Sequence, residues 1–143
     1  MLMKSHRALF VAALILIPLH ALAAQGTLKV SGIHANEPFC KTMIKQFEVM
    51  TTYTRSGLGL TDPLTKKKYF ADQKVLNATL VKTAPASLAT DVALLSRNAN
   101  LAYDAQMGTD RKAAMAALAP LRRPEHLAAA KRANAYCGLN LTK

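Results

Sequence analysis

The residues of this chain that could do chemistry are few, and most stand alone. Beyond residue 30 there are two cysteines, Cys40 and Cys137, and two histidines, His34 and His126. A metal centre or a covalently held haem calls for denser sets, and no H-x-x-E-H, H-E-x-x-H or C-x-x-C-H spacing occurs. Glu37, Glu48 and Glu125 are scattered, each where a helix turn or an exposed face accounts for it. Ser87 and Ser96 lie in no motif, "SGLGL" at Ser56 is not a nucleophile elbow, and "GLGLTD" lacks the strand–turn–helix context of a phosphate loop. Met43, Met50, Met107 and Met115 invite comparison with Met/His-ligated bundle cytochromes. Methionine at helical spacing is core filler, however, so no cofactor is expected and haem in the bundle interior is kept as an alternative.

Two features are better defined. The first is the cysteine pair, which has neither C-x-x-C spacing nor a local histidine to make it reactive. In an oxidising compartment the two are expected to form a structural disulfide. The second is a set of cations without neighbouring acids: Lys66, Lys67 and Lys68, then Arg122 and Arg123, then Lys131 and Arg132. The lysine run falls in the first turn of a helix, where the helix dipole prefers carboxylates, so it is locally unfavourable. These cations predict anion binding: an anionic envelope polymer, acidic lipid headgroups or an acidic protein. Nucleic acid would be held only nonspecifically, with a steep salt dependence.

The compartment follows from the N-terminus. Lys4 and Arg7 precede an apolar run, Ala8 to Leu19, and Ala21-Leu22-Ala23 offers small residues for cleavage after Ala23. That is the three-part pattern of a secretory signal peptide. The run is shorter than the ~20 residues of a spanning helix, and Pro18 interrupts it. No later stretch is long and apolar enough to span. A secreted, periplasmic or envelope location is therefore expected. Removing the leader takes Lys4 and Arg7 away and leaves 17 basic residues against 8 acidic, a net charge of +9.

The elements that must position these residues read as helices. After an extended lead-in over 24–35, Pro38 opens a helix whose buried face is Cys40, Met43, Ile44, Phe47 and Met50, stopped by Gly57 and Gly59. "TLKVSGI" has strand character but no evident partner. Asp62-Pro63 is a helix start, and that helix runs to Thr83 with Tyr69, Leu76, Leu80 and Thr83 inward and Val75 beside them. After Pro85 a third helix buries Leu88, Val92, Leu95, Ala99 and Ala102, widened by Leu94, Leu101 and Tyr103, and stops at Gly108. A short helix over Arg111–Ala119 is halted by Pro120, and Pro124 opens a last one through Leu127, Ala130, Asn134 and Cys137 to Gly138. The expected fold is all-α: a bundle of four to five helices over 36–143, closed by one disulfide and preceded by a signal peptide at 1–23. "NAT" at Asn77 and "NLT" at Asn140 are glycosylation sequons only in a eukaryotic host, and Asn77 falls mid-helix.

The stretches "APASLATDV" and "RPEHLAAAKRANAYCG" resemble a recurrent pattern in small secreted proteins and lipoproteins of actinobacteria. There a helix opens at Ala-Pro and a last helix runs from Pro-Glu to Tyr-x-x-x-Cys-Gly. Here Tyr136 directly precedes Cys137, a departure from that spacing. The resemblance covers roughly the C-terminal half. It implies a disulfide-closed helical bundle and carries no activity. Function is thus bounded to three classes: a non-catalytic binder of anionic partners, a carrier of a small apolar ligand or haem, and a small secreted enzyme or inhibitor. A His–carboxylate pair brought together by the fold would favour the third.

Overall fold

The computed structural model describes residues 27–55 and 62–142. The expected leader and the stop at Gly57 and Gly59 lie outside them. The described chain runs β1 (Thr27–Val30), α1 (Pro38–Arg55), α2 (Pro63–Thr83), α3 (Ala89–Met107), α4 (Arg111–Ala116), α5 (Pro124–Cys137) and β2 (Leu139–Thr142). Single 3-10 turns at Ala86–Leu88 and Ala119–Arg122 lead into α3 and α5. This is the expected helical bundle, and a Cys40–Cys137 disulfide closes it.

Local chemistry sets the helix ends. The Asp62 carboxylate accepts from the Thr65 N–H at 2.8 Å, and Pro63 follows at the first helical position. The Asp110 carboxylate caps α4 by accepting from the Lys112 and Ala113 N–H groups at 2.9 and 3.1 Å. Gly138 takes a left-handed φ of 62° and ends α5. Helix α4 is shorter than expected, stopping at Ala116, and Pro120 lies inside the following 3-10 turn rather than halting the helix itself.

Side-chain contacts fix an antiparallel order. Tyr53 of α1 meets Asp72 of α2, Lys74 of α2 meets Asp104 of α3, and Asn98 of α3 meets His126 of α5. One end of the bundle therefore holds the start of α2, the end of α3, α4 and the start of α5. The other holds the start of α1, the end of α5 and the sheet. Phe39, Met43, Tyr69, Leu80, Val92, Leu95 and the two cysteines form the core, and Ala102, Leu118 and Leu121 form a smaller cluster beneath α4. No helix among the described residues is long and apolar enough to cross a membrane.

Two expectations are corrected. Val75, Leu101 and Leu127, expected on or beside inward faces, are all exposed. On α2 the inward positions go instead to Phe70, Gln73 and Asn77, and on α5 to His126, Ala129 and Ala133. The lead-in is not unpaired: β1 runs antiparallel to β2, with Thr27 opposite Thr142 and Val30 opposite Leu139. Below the sheet the chain crosses itself between two glycines. The Ser31 N–H donates to the Gly138 carbonyl at 3.1 Å. A Cβ on Gly32 would lie 2.6 Å from the Cys137 carbonyl oxygen, and one on Gly138 would meet the Gly32 nitrogen.

Candidate functional site

The cations divide between the two ends of the bundle. Lys66, Lys67 and Lys68 occupy the first turns of α2, and Arg122 and Arg123 lie just before α5, so both groups belong to the same end. Lys131 and Arg132 lie two turns further along α5, where Arg132 meets Asp91 at the start of α3. The seven do not make one cluster.

Nor are all of them without acids. Lys68 pairs with Asp72 at 3.0 Å one turn away, and Arg132 makes a two-pronged contact with Asp91 at 2.7 and 2.8 Å. The hydrogen bond and charge of Asp72 raise the Lys68 pKa, and those of Arg132 lower that of Asp91. Lys66 lies 5.9 Å from the centroid of the Phe70 ring. Among the described residues, exposed Lys67, Lys82, Arg97, Arg122, Arg123 and Lys131 have no carboxylate within ion-pairing distance.

The acids, by contrast, are all engaged locally. Asp62 and Asp110 cap helices, and Glu125 sits in the first turn of α5, where the dipole favours it. Glu48, Asp72, Asp91 and Asp104 each hold a lysine or arginine. Glu37 holds a histidine and a tyrosine.

That last group is a constellation formed by the fold. The Glu37 carboxylate accepts from Tyr136 Oη–H at 2.8 Å and lies 2.6 Å from His34 Nδ1. An ionised carboxylate can only accept, so Nδ1 carries the hydrogen. The His34 ring stacks on Tyr136 with centroids 4.0 Å apart and planes 9° from parallel. The Tyr136 and His34 hydrogen bonds hold the Glu37 carboxyl below its ordinary pKa, and the bond to Glu37 pushes the Tyr136 phenol up. All three side chains are half-buried beside the disulfide. His126 is at the opposite end, buried, with Asn98 Nδ2 donating to its Nδ1 at 3.2 Å. Burial pushes its pKa down.

The interior carries a polar layer at mid-height. Gln46 Nε2 donates to Asn77 Oδ1 at 2.6 Å, and Asn77 Nδ2 donates to Asn100 Oδ1 at 2.7 Å. The Asn77 side chain is thus fully committed inside the bundle, and its sequon is closed to a glycan. Met43 and Met50 are core residues, whereas Met107 and Met115 are exposed. Among the described residues no three or more His, Cys, Asp or Glu side chains are grouped to hold a metal ion. No protein-family model, curated protein or solved structure matches this chain.

Proposed function

We propose that this is an exported, non-catalytic binding protein that engages anionic partners at the cell envelope or outside the cell. One observation carries the reading. Seven of the eight acidic side chains cap a helix or hold a partner, and the eighth, Glu125, sits in the first turn of α5, so the unpaired charge of the surface is positive almost throughout. A surface of that kind attracts polyanions and acidic headgroups over a Debye length and releases them in salt. Export rests on the leader pattern, with cleavage near Ala23, and on a disulfide of the kind that oxidising compartments preserve.

The test uses the cations that have no acid beside them. Lys67→Glu, Arg122→Glu and Arg123→Glu together should abolish low-salt retention on an anionic matrix such as a cell-wall fraction. Retention equal to that of the unaltered protein would overturn the assignment. For export, N-terminal sequencing of protein recovered outside the cell should begin at or beside Ala24.

A second reading, a small secreted enzyme or inhibitor, is favoured by the His34–Glu37 pair, which orients an imidazole as an acid–base residue is oriented. Among the described residues, however, no hydroxyl or thiol hydrogen-bonds to the His34 ring as a nucleophile would. The third, a carrier of apolar cargo or haem, must displace the Gln46–Asn77–Asn100 layer at mid-height.

A further inference from the structure

We infer that the outer face of α2 docks on an anionic lipid bilayer, with Leu64 and Val75 entering the interface and lysines holding the headgroups. The inference rests on the anion-binding reading above and names its partner. Helix α2 packs one side against α1 and α3, through Tyr69, Phe70, Gln73, Asn77 and Leu80. On the opposite side Leu64, Ala71, Val75 and Ala78 recur at steps of seven, four and three, which keeps them on one line of a helix. All four are exposed, Leu64 by 78% and Val75 by 66%. Lys67 and Lys68 flank this line and Lys82 continues it, all exposed; Lys68 pairs with Asp72, while Lys67 and Lys82 have no carboxylate within ion-pairing distance. Asp72, the nearest carboxylate, lies toward α1, where Tyr53 and Lys68 hold it.

The combination selects the partner. A wall polymer or other soluble polyanion is bound by cations alone and gains nothing from a large exposed leucine and valine between them. A bilayer interface takes both kinds of residue: acidic headgroups meet the lysines, whose stems lie along the surface, while the apolar line reaches the acyl boundary. A second copy of the chain is disfavoured, because two such faces would set lysines against lysines. The helix is already held rigid by its core side, so docking carries no folding cost.

The chain has no tryptophan, so single substitutions give a site-specific reporter. The full chain is made as Leu64→Trp, Val75→Trp and, as a control on α5, Leu127→Trp. Each is mixed at low salt with phosphatidylcholine vesicles containing about one third phosphatidylglycerol. The apolar N-terminal segment is common to all three, so the difference between positions reports α2. Indole emission from positions 64 and 75 should move to the blue and be quenched by lipids brominated on their acyl chains, whereas emission from position 127 should not. Lys67→Gln with Lys82→Gln should weaken partitioning about 25-fold, from about fivefold per lysine near an anionic surface. Sedimentation with the vesicles while emission from positions 64 and 75 stays unshifted would overturn the inference and leave the anion-binding reading standing. Retention on a cell-wall polymer but not on vesicles would do the same. Failure to bind either would overturn both.

Discussion

The Cys40–Cys137 bridge joins residues 97 apart in sequence, and its contribution can be worked from that separation. Closing a loop of that length removes chain entropy from the unfolded state worth up to about 4.7 kcal/mol at 25 °C. Removing a native bridge from a small domain costs about 2–5 kcal/mol, with long loops at the upper end, against a total stability of about 5–15 kcal/mol for a domain. Cys40→Ala alone already breaks the bridge, and so does Cys137→Ala. Each single variant should therefore lose about 3–5 kcal/mol, and the double variant should lose at most about 1 kcal/mol beyond either. For a domain of this size that is a fall in Tm of roughly 12–20 °C. Urea denaturation followed by far-UV circular dichroism gives both the free energy and the slope. The slope should rise, because the unbridged chain exposes more surface when it unfolds. Alanine suits both sites, since the cysteines are fully buried and a serine would bury a hydroxyl. Two single losses that add in the double variant, or a loss below about 1 kcal/mol with an unchanged slope, would refute the view that the bridge acts on the unfolded chain.

Other perturbations test other parts of the fold. Asn77→Ala leaves the buried Gln46 amide without its acceptor and should cost about 2 kcal/mol in chemical denaturation; a loss under about 0.5 kcal/mol would mean the polar layer adds no net stability. Gly138→Ala puts a Cβ against Gly32 at a left-handed backbone position, and should cost about 1–3 kcal/mol. Its signature is faster amide exchange at Ser31, whose N–H bonds to Gly138; unchanged protection there would count against the crossing as a constraint. Burial holds His126 below its ordinary pKa of 6.5, so the unfolded chain takes up its proton first. The stability from keeping it neutral is present above about pH 6.5 and is lost as pH falls through the folded-state pKa, so urea midpoints should drop as the pH is lowered below about 6.5. His126→Gln should flatten that drop, and an identical slope in the variant would show that other groups cause it.

The sequence carries the helix ends because they are chosen locally. Asp62-Pro63, Gly108, Pro124 and Gly138 each act through their own backbone or their nearest N–H groups, and all four mark the ends observed. The buried faces are less legible. Helix α2 has apolar residues on both sides, so periodicity alone does not reject Val75. Gln73 and Asn77 go inward because their partners arrive from α1 and α3, and nothing within α2 announces those. On α5 the alanines pack closely and His126 finds Asn98, which leaves Leu127 outside. The two strands lie more than a hundred residues apart, and "TLKV" alone does not identify "LNLT" as its partner.

The candidate site divides in the same way. Lys68–Asp72 is an ordinary i, i+4 pair and is readable from spacing, whereas Arg132–Asp91 spans two helices. The Glu37–Tyr136 contact follows once the bridge is accepted, because joining residues 40 and 137 brings their neighbours together.

The pairing of β1 with β2 and of Cys40 with Cys137 also sets an order of events as the chain emerges. Helices α1, α2 and α3 can pack on one another early, since their contacts join consecutive elements. Residues 27–40 cannot find their partners until residues 137–142 are free. Throughout that interval the Cys40 thiol is without its mate and open to the thiols of other chains. The hazard of this architecture is therefore one of timing: crowded, incomplete chains cross-link to one another, and a catalyst of disulfide exchange is the activity that would rescue them.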